Sequence, residues 1–240
     1  MKRLLVATIA CALPFSAVAT AASPITVLAA ASLTSVFPRI SAAPRYSFAG
    51  SDQLALQLQQ GAPADVYAAA SPKYPELLYR QGLLRKPAVF ATNRLVLIVP
   101  RSNPARIASV YDLRRTGIKV VIGDKGVPIG AYTRQILDTI GISAEVLKNV
   151  VSEETDVKGI VGKVALGEAD AGFVYATDAR PVAARAKVVP LPAWAQPPIR
   201  YEIAVVKGGR EAAARAFVAR VTGKLGRAAL RKAGFGLPRR

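Results

Sequence analysis

Short apolar runs alternate along this chain with stretches whose apolar residues recur at helical spacing. The β-like runs fall at 25–28, 65–69, 94–100, 119–123, 171–175 and 201–206, with a further strand ending at Phe48. The helical stretches follow them. Leu54, Ala55 and Leu58 form a stripe behind Gly50-Ser51, where Ser51 is placed to cap it, and Gly61-Ala62-Pro63 breaks it. Ser71-Pro72 opens a helix through Leu77 and Leu78 with a stop at Gly82, and Asp112-Leu113 opens a short helical turn. Tyr132, Ile136, Leu137 and Ile140 make a stripe closed by Gly141. Val157, Ile160, Val161, Val164 and Ala165 make the strongest helical pattern, opened by Asp156 as N-cap and ended by Gly167. Two helices, about 211–222 and 226–233, close the chain. Pro38 and Pro44 keep any helix over 36–46 short. The run at 94–100 is the most apolar and reads as a central strand crossing between lobes, while 190–199 is a Pro-rich connector. Regular alternation of strand and helix predicts an α/β protein with mainly parallel sheets.

Length and composition bound this picture without changing it. The 240 residues, 52% hydrophobic and 20% charged, are enough for one large domain or two lobes. Lys2 and Arg3, an apolar run, and Ala19 and Ala21 in an A-x-A arrangement make 1–22 read as a signal peptide. Cys11, the single cysteine, lies inside it, so disulfides and thiol chemistry are not expected afterwards. The formal charge of +18 favours anionic partners. The basic residues are spread singly, without the Lys/Arg blocks and interleaved aromatics of a nucleic-acid surface.

Catalytic constellations are mostly excluded. With no histidine, Ser-His triads, imidazole bases and His-containing metal sites are absent. Neither a G-x-x-x-x-G-K-[ST] nor a G-x-G-x-x-G loop occurs. Asp52, Asp156 and Asp178 could form a carboxylate group, but cap and turn roles suit Asp156 and Asp178 better. What remains is a set of strand-to-helix junctions, at Ser32, Ser51, Ile129 and Val157. Open α/β sheets gather such junctions at the carboxyl ends of their strands, where ligands bind. Free N–H and O–H groups converging there suit a fully ionised oxyanion held without a paired cation. That is a binder's chemistry, not a nucleophile's.

The segments AAASLT (29–34), FAGSDQLALQLQQGAPADVYAAAS (48–71), RLVLIVP (94–100), VPIGAYTRQ (127–135), ETDVKGIVGKVALGEADAGFVYATDA (154–179) and YEIAVV (201–206) carry a resemblance in this order. Together they resemble the periplasmic molybdate-binding proteins of ABC transporters over nearly the whole chain after the leader. The resemblance implies a two-lobed class II periplasmic binding protein fold, two sheets flanked by helices with a ligand cleft between lobes. The implied divisions are 1–22 signal peptide, 23–97 first lobe, 98–199 second lobe and 200–240 returning to the first. The ligand contacts it implies are Ser32, Ser51, the backbone of Ile129, the backbone of Val157 and the Tyr175 hydroxyl, with molybdate held as an oxyanion and no direct metal ligand.

Three departures from the family pattern stand out: a short segment between Ser32 and Ser51, Ile129 where a small residue is common, and Asp52 beside Ser51. An aspartate there would repel a dianion unless it turns away or takes a proton. The expectation is an exported, non-enzymatic, monomeric protein without cofactor, periplasmic or at the cell surface. It would bind molybdate, and tungstate with it, and deliver the anion to an ABC transporter permease, with nucleic acid not expected as partner. The alternatives are a different tetrahedral oxyanion, or a basic exported protein binding nucleic acid or another anionic polymer.

Overall fold

The computed structural model describes residues 23–238, so the expected signal peptide at 1–22 lies outside the described residues. The strands are β1 (Thr26–Ala30), β2 (Arg45–Ala49), β3 (Val66–Ala69), β4 (Ala88–Asn93), β5 (Leu95–Pro100), β6 (Val120–Gly123), β7 (Val150–Glu154), β8 (Ala171–Tyr175), β9 (Ala186–Val189) and β10 (Ile199–Val205). The helices are α1 (Phe37–Ile40), α2 (Ser51–Gln59), α3 (Lys73–Arg80), α4 (Pro128–Thr139), α5 (Ser143–Lys148), α6 (Val157–Leu166), α7 (Ala176–Ala179), α8 (Glu211–Thr222) and α9 (Lys224–Ala233). Two five-stranded sheets result, in the orders β2-β1-β3-β10-β4 and β7-β6-β8-β5-β9. This is the two-sheet architecture that the resemblance implies.

Each sheet is mixed rather than mainly parallel. The pairs β1–β2, β1–β3, β6–β7 and β6–β8 are parallel, whereas β10 and β5 run antiparallel to both their neighbours. The reason lies in how those two strands are reached. A helix crossover returns the chain to the same end of a sheet and makes neighbours parallel. β5 follows β4 with only Arg94 between them, and β10 follows the Pro-rich connector, so each enters its sheet reversed. β5 does not itself bridge the sheets, contrary to the expectation that the run at 94–100 crosses between lobes. The chain passes over at Arg94 and returns between Val189 and Ile199. The two passages are fastened together by Gln196, whose amide accepts from the Leu95 N–H at 2.9 Å and donates to the Leu95 carbonyl at 2.9 Å.

One core cluster runs through both sheets, and a second packs Leu54, Leu58 and Leu78 of α2 and α3 with Leu28 and Tyr67. Val27, Ala29, Leu95, Leu97, Val120, Ile122, Phe173 and Tyr201 are all fully buried within the first. Along α6 the apolar stripe read from the sequence is the buried face, with Val157, Ile160, Val161 and Val164 inside. At roughly 25 cal/mol per Å² of apolar surface, such residues supply most of the stabilisation of each layer. The parallel strands β1, β2, β3, β6, β7 and β8 all end toward the space between the sheets, where the junctions gather.

Candidate functional site

The five residues picked out at the strand-to-helix junctions come together. Ser32, Ser51, Ile129, Val157 and Tyr175 line one small chamber between the two sheets, with Ala30, Ala49, Ala70 and Asp156 around them. All five are buried. The chamber volume is about 10 Å³, room for about one water-sized sphere. A solute larger than water therefore fits only if the surrounding walls move apart.

Local geometry explains why donors face this space. Val157 is the first residue of α6, and the Asp156 carboxylate caps it by accepting from the Lys158 and Gly159 N–H groups. The N–H of Val157 itself is left over, one of the four that a helix cannot satisfy internally. In α4, Pro128 fills the first position and has no N–H to offer, and no side chain caps the helix, so Ile129 presents its first free N–H. Close approach at this end needs glycine: a Cβ at Gly123 would stand 2.7 Å from Ile129 Cγ2. The Ile129 side chain thus packs on Gly123 of β6, which is how a large residue is accommodated where only its backbone is needed.

The two serines differ from their expected settings. Ser32 lies in a single 3-10 turn, Ala31–Leu33, rather than at the start of an α-helix. Its Oγ is 2.9 Å from the Tyr201 hydroxyl oxygen. Ser51 is not the cap of α2. Gly50 occupies that position, Ser51 is the first helical residue, and its Oγ accepts from the Ala70 N–H at 3.1 Å. Glycine is needed there because a Cβ would stand 2.5 Å from the Thr155 carbonyl oxygen on the opposite side of the chamber. With its oxygen accepting from Ala70, the Ser51 hydroxyl keeps a proton to donate.

Tyr175 ends β8, and its hydroxyl is buried without a hydrogen-bond partner among the described residues. Burial, then the neighbouring Tyr201, Tyr132 and Asp178, push its pKa well above the usual phenol value. The phenol stays protonated and can only gain by donating. An orphaned buried hydroxyl costs about 1–3 kcal/mol, which a bound acceptor would restore.

The cation that follows Val157 in α6 is already neutralised. Lys158 Nζ lies 2.6 Å from Asp178 Oδ1. Asp178 is not the polar turn residue expected; it is buried in α7, its pKa raised by burial and lowered in part by Lys158. Sequence gave no sign of this pairing, since the two residues are 20 positions apart in different elements. Asp52 does not line the chamber. Its carboxylate sits at the rim against the opposite half, where a Cβ on Gly126 would be 3.2 Å from its Oδ2. Burial, partly offset by the Gln53 N–H, raises its pKa, and Asp124 adds to the rise. Nearby, the Tyr74 hydroxyl donates to the Gly126 carbonyl at 2.5 Å, a bond from α3 across the mouth.

Two α/β units closed over a small chamber of neutral donors define a solute-binding protein of the periplasmic type. The chain belongs to the bacterial extracellular solute-binding proteins, whose family model matches residues 25–236. It is 42% identical over 228 residues to the molybdate-binding protein ModA of Mycobacterium tuberculosis, covering 90% of this chain and 86% of that protein. The periplasmic molybdate-binding protein of Azotobacter vinelandii superposes with a TM-score of 0.79 at 24% identity, over 90% of this chain and 100% of that one. The sulfate-binding protein SubI of Mycobacterium tuberculosis superposes with the same TM-score of 0.79 at 18% identity, over 89% of this chain and 86% of that one. Fold alone therefore does not select between those two anions.

Proposed function

We propose that this protein captures molybdate, and tungstate with it, and delivers the anion to an ABC transporter permease. It acts outside the cytoplasm, in the periplasm or at the cell surface, as a monomer, with no catalytic step and no cofactor. The ligand is held by the hydroxyls of Ser32, Ser51 and Tyr175 and the N–H groups of Ile129 and Val157. The two lobes follow the sheets, 23–93 with 199–238 and 95–189, so the first boundary falls at Arg94 rather than at 97/98 as the sequence division had it.

The observation that carries this reading is the Tyr175 hydroxyl, protonated and without a partner among the described residues, on the wall of a chamber whose one carboxylate, Asp156, is engaged in capping α6. A fully ionised tetrahedral oxyanion has acceptors in every direction and no proton to place, so it matches donors that the protein leaves unmatched. The 42% identical relative named for molybdate favours that oxyanion over sulfate. Thermal unfolding at matched ionic strength tests the reading. Molybdate and tungstate at a hundred times Kd are expected to stabilise by about 2.7 kcal/mol, with phosphate giving far less. Equal stabilisation by phosphate would mean a working acceptor in the chamber. Binding only to anionic polymer, with a steep salt dependence, would favour a polyanion binder.

A further inference from the structure

The chamber serine Ser32 is tied to a residue that does not line the chamber. Asn93 ends β4, at the passage between the two sheets. Its amide orientation is fixed, because Oδ1 accepts from the Arg94 backbone N–H at 2.9 Å and that group can only donate. The Nδ2 end must therefore face Thr177 Oγ1, at 2.9 Å, and the Tyr201 hydroxyl, at 3.4 Å. Both are hydroxyls, and each takes one of the two amide protons. Tyr201, having accepted from Asn93, has its own proton for Ser32 Oγ, 2.9 Å away. Ser32 in turn has accepted, and its proton is left for the chamber. Tyr201 is fully buried, so no water competes for the intermediate link.

We propose that Asn93 is a specificity-determining residue: by donating into the Tyr201–Ser32 pair it makes Ser32 a donor toward the bound anion, and so selects fully ionised oxyanions over protonated ones. This rests on the chamber being the anion site, as proposed above. Asn93 touches no ligand and acts through Tyr201. Replacing it by aspartate turns every link round. The Arg94 N–H bond survives, Thr177 and Tyr201 can rotate to donate to the new carboxylate, and Ser32 then donates to Tyr201 and offers the chamber a lone pair. Because each link is a hydroxyl, the reversal needs no repacking.

Calorimetry on wild type, Asn93→Asp, Tyr201→Phe and the double variant, with molybdate, sulfate and monohydrogen phosphate at matched ionic strength, tests this. Asn93→Asp is expected to weaken molybdate at least about tenfold, and to lower the molybdate-to-phosphate affinity ratio by about thirtyfold. With Tyr201→Phe already present the relay is cut, and adding Asn93→Asp should move that ratio less than about threefold. A ratio unchanged in Asn93→Asp, or one falling equally in both backgrounds through charge alone, overturns the proposal. Should Asn93→Asp not fold, Tyr201→Phe alone is expected to lower the ratio by about tenfold, and an unchanged ratio overturns it. If wild type takes sulfate but not molybdate, the ligand assignment fails while the sulfate-to-phosphate ratio still tests Asn93. A wild type that binds no oxyanion overturns both.

Discussion

The two ends of the parallel strands in the first sheet treat negative charge in opposite ways. At the amino ends, before β3, the buried Asp65 carboxylate accepts from the Thr26 N–H at 2.7 Å and the Arg210 N–H at 2.7 Å, and is paired with the Arg210 guanidinium at 2.9 Å. At the carboxyl ends of β1, β2 and β3, the chamber offers hydroxyls and N–H groups, its Asp156 carboxylate is engaged as the cap of α6, and the nearby lysine is taken by Asp178. A permanent anion is matched by a permanent cation. A transient one is better met by neutral dipoles, because an unpaired buried cation in the empty protein would be costly. The difference teaches that the chamber is arranged to be tolerable when empty as well as favourable when filled.

The contrast can be broken from either end. Asp65→Ala strands two backbone N–H groups and is expected to lower stability by about 2–4 kcal/mol in urea unfolding, with anion affinity unchanged. Burial pushes the Asp65 pKa up, but the Arg210 side chain and the Thr26 and Arg210 N–H bonds outweigh it, and the net value is lowered. Its contribution is therefore full above the ordinary aspartate pKa and lost as pH falls through the lowered folded value. Ser51→Ala is expected to cost about 1.5–3 kcal/mol of molybdate affinity, a 10- to 150-fold weakening by calorimetry. It also leaves the Ala70 N–H without its acceptor, so stability falls too, by about 1–3 kcal/mol. Substitution by glycine does not spare the fold either, since Ser51 is not the cap. Affinity within twofold of wild type would remove Ser51 from the site.

A smaller effect is expected at the mouth. Tyr74→Phe deletes the bond to the Gly126 carbonyl and should speed anion release about fivefold in stopped-flow chase, close to 1 kcal/mol. Release at the wild-type rate would mean that this bond does not hold the halves together. Smaller still is Asp52→Asn, expected to raise dianion affinity about two- to fivefold at neutral pH by removing a charge from the rim. Because burial raises the Asp52 pKa, its stabilising contribution is full below the ordinary value of 3.8 and is lost as pH rises through the raised one. Asp52→Asn should flatten that part of the stability–pH profile.

How much of this was legible in the sequence follows from burial. The central strands β1, β3, β5, β6 and β8 show as nearly continuous apolar runs because both their faces are covered, while β10 is interrupted by Arg200 and Glu202. The strands that went unread, β4, β7 and β9, are all at sheet edges. β7 alternates between exposed and half-buried residues, and β9 buries only its two ends, so neither carries an apolar run. The helix starts at Val157 and Ile129 were legible through Asp156 and Pro128, which act locally. Tyr201, Asn93 and Asp178 were not legible as neighbours of the site. Their roles depend on partners in other elements, and no local spacing encodes a contact such as Ser32 with Tyr201, 169 residues apart.

The most direct measurement is a crystal structure of the molybdate-soaked protein with data collected at the molybdenum absorption edge. We expect one anomalous peak in the chamber, with oxygens within hydrogen-bond distance of the Ser32, Ser51 and Tyr175 hydroxyls and of the Ile129 and Val157 nitrogens. A peak lodged instead among exposed arginines or lysines, with the chamber empty, would contradict the account.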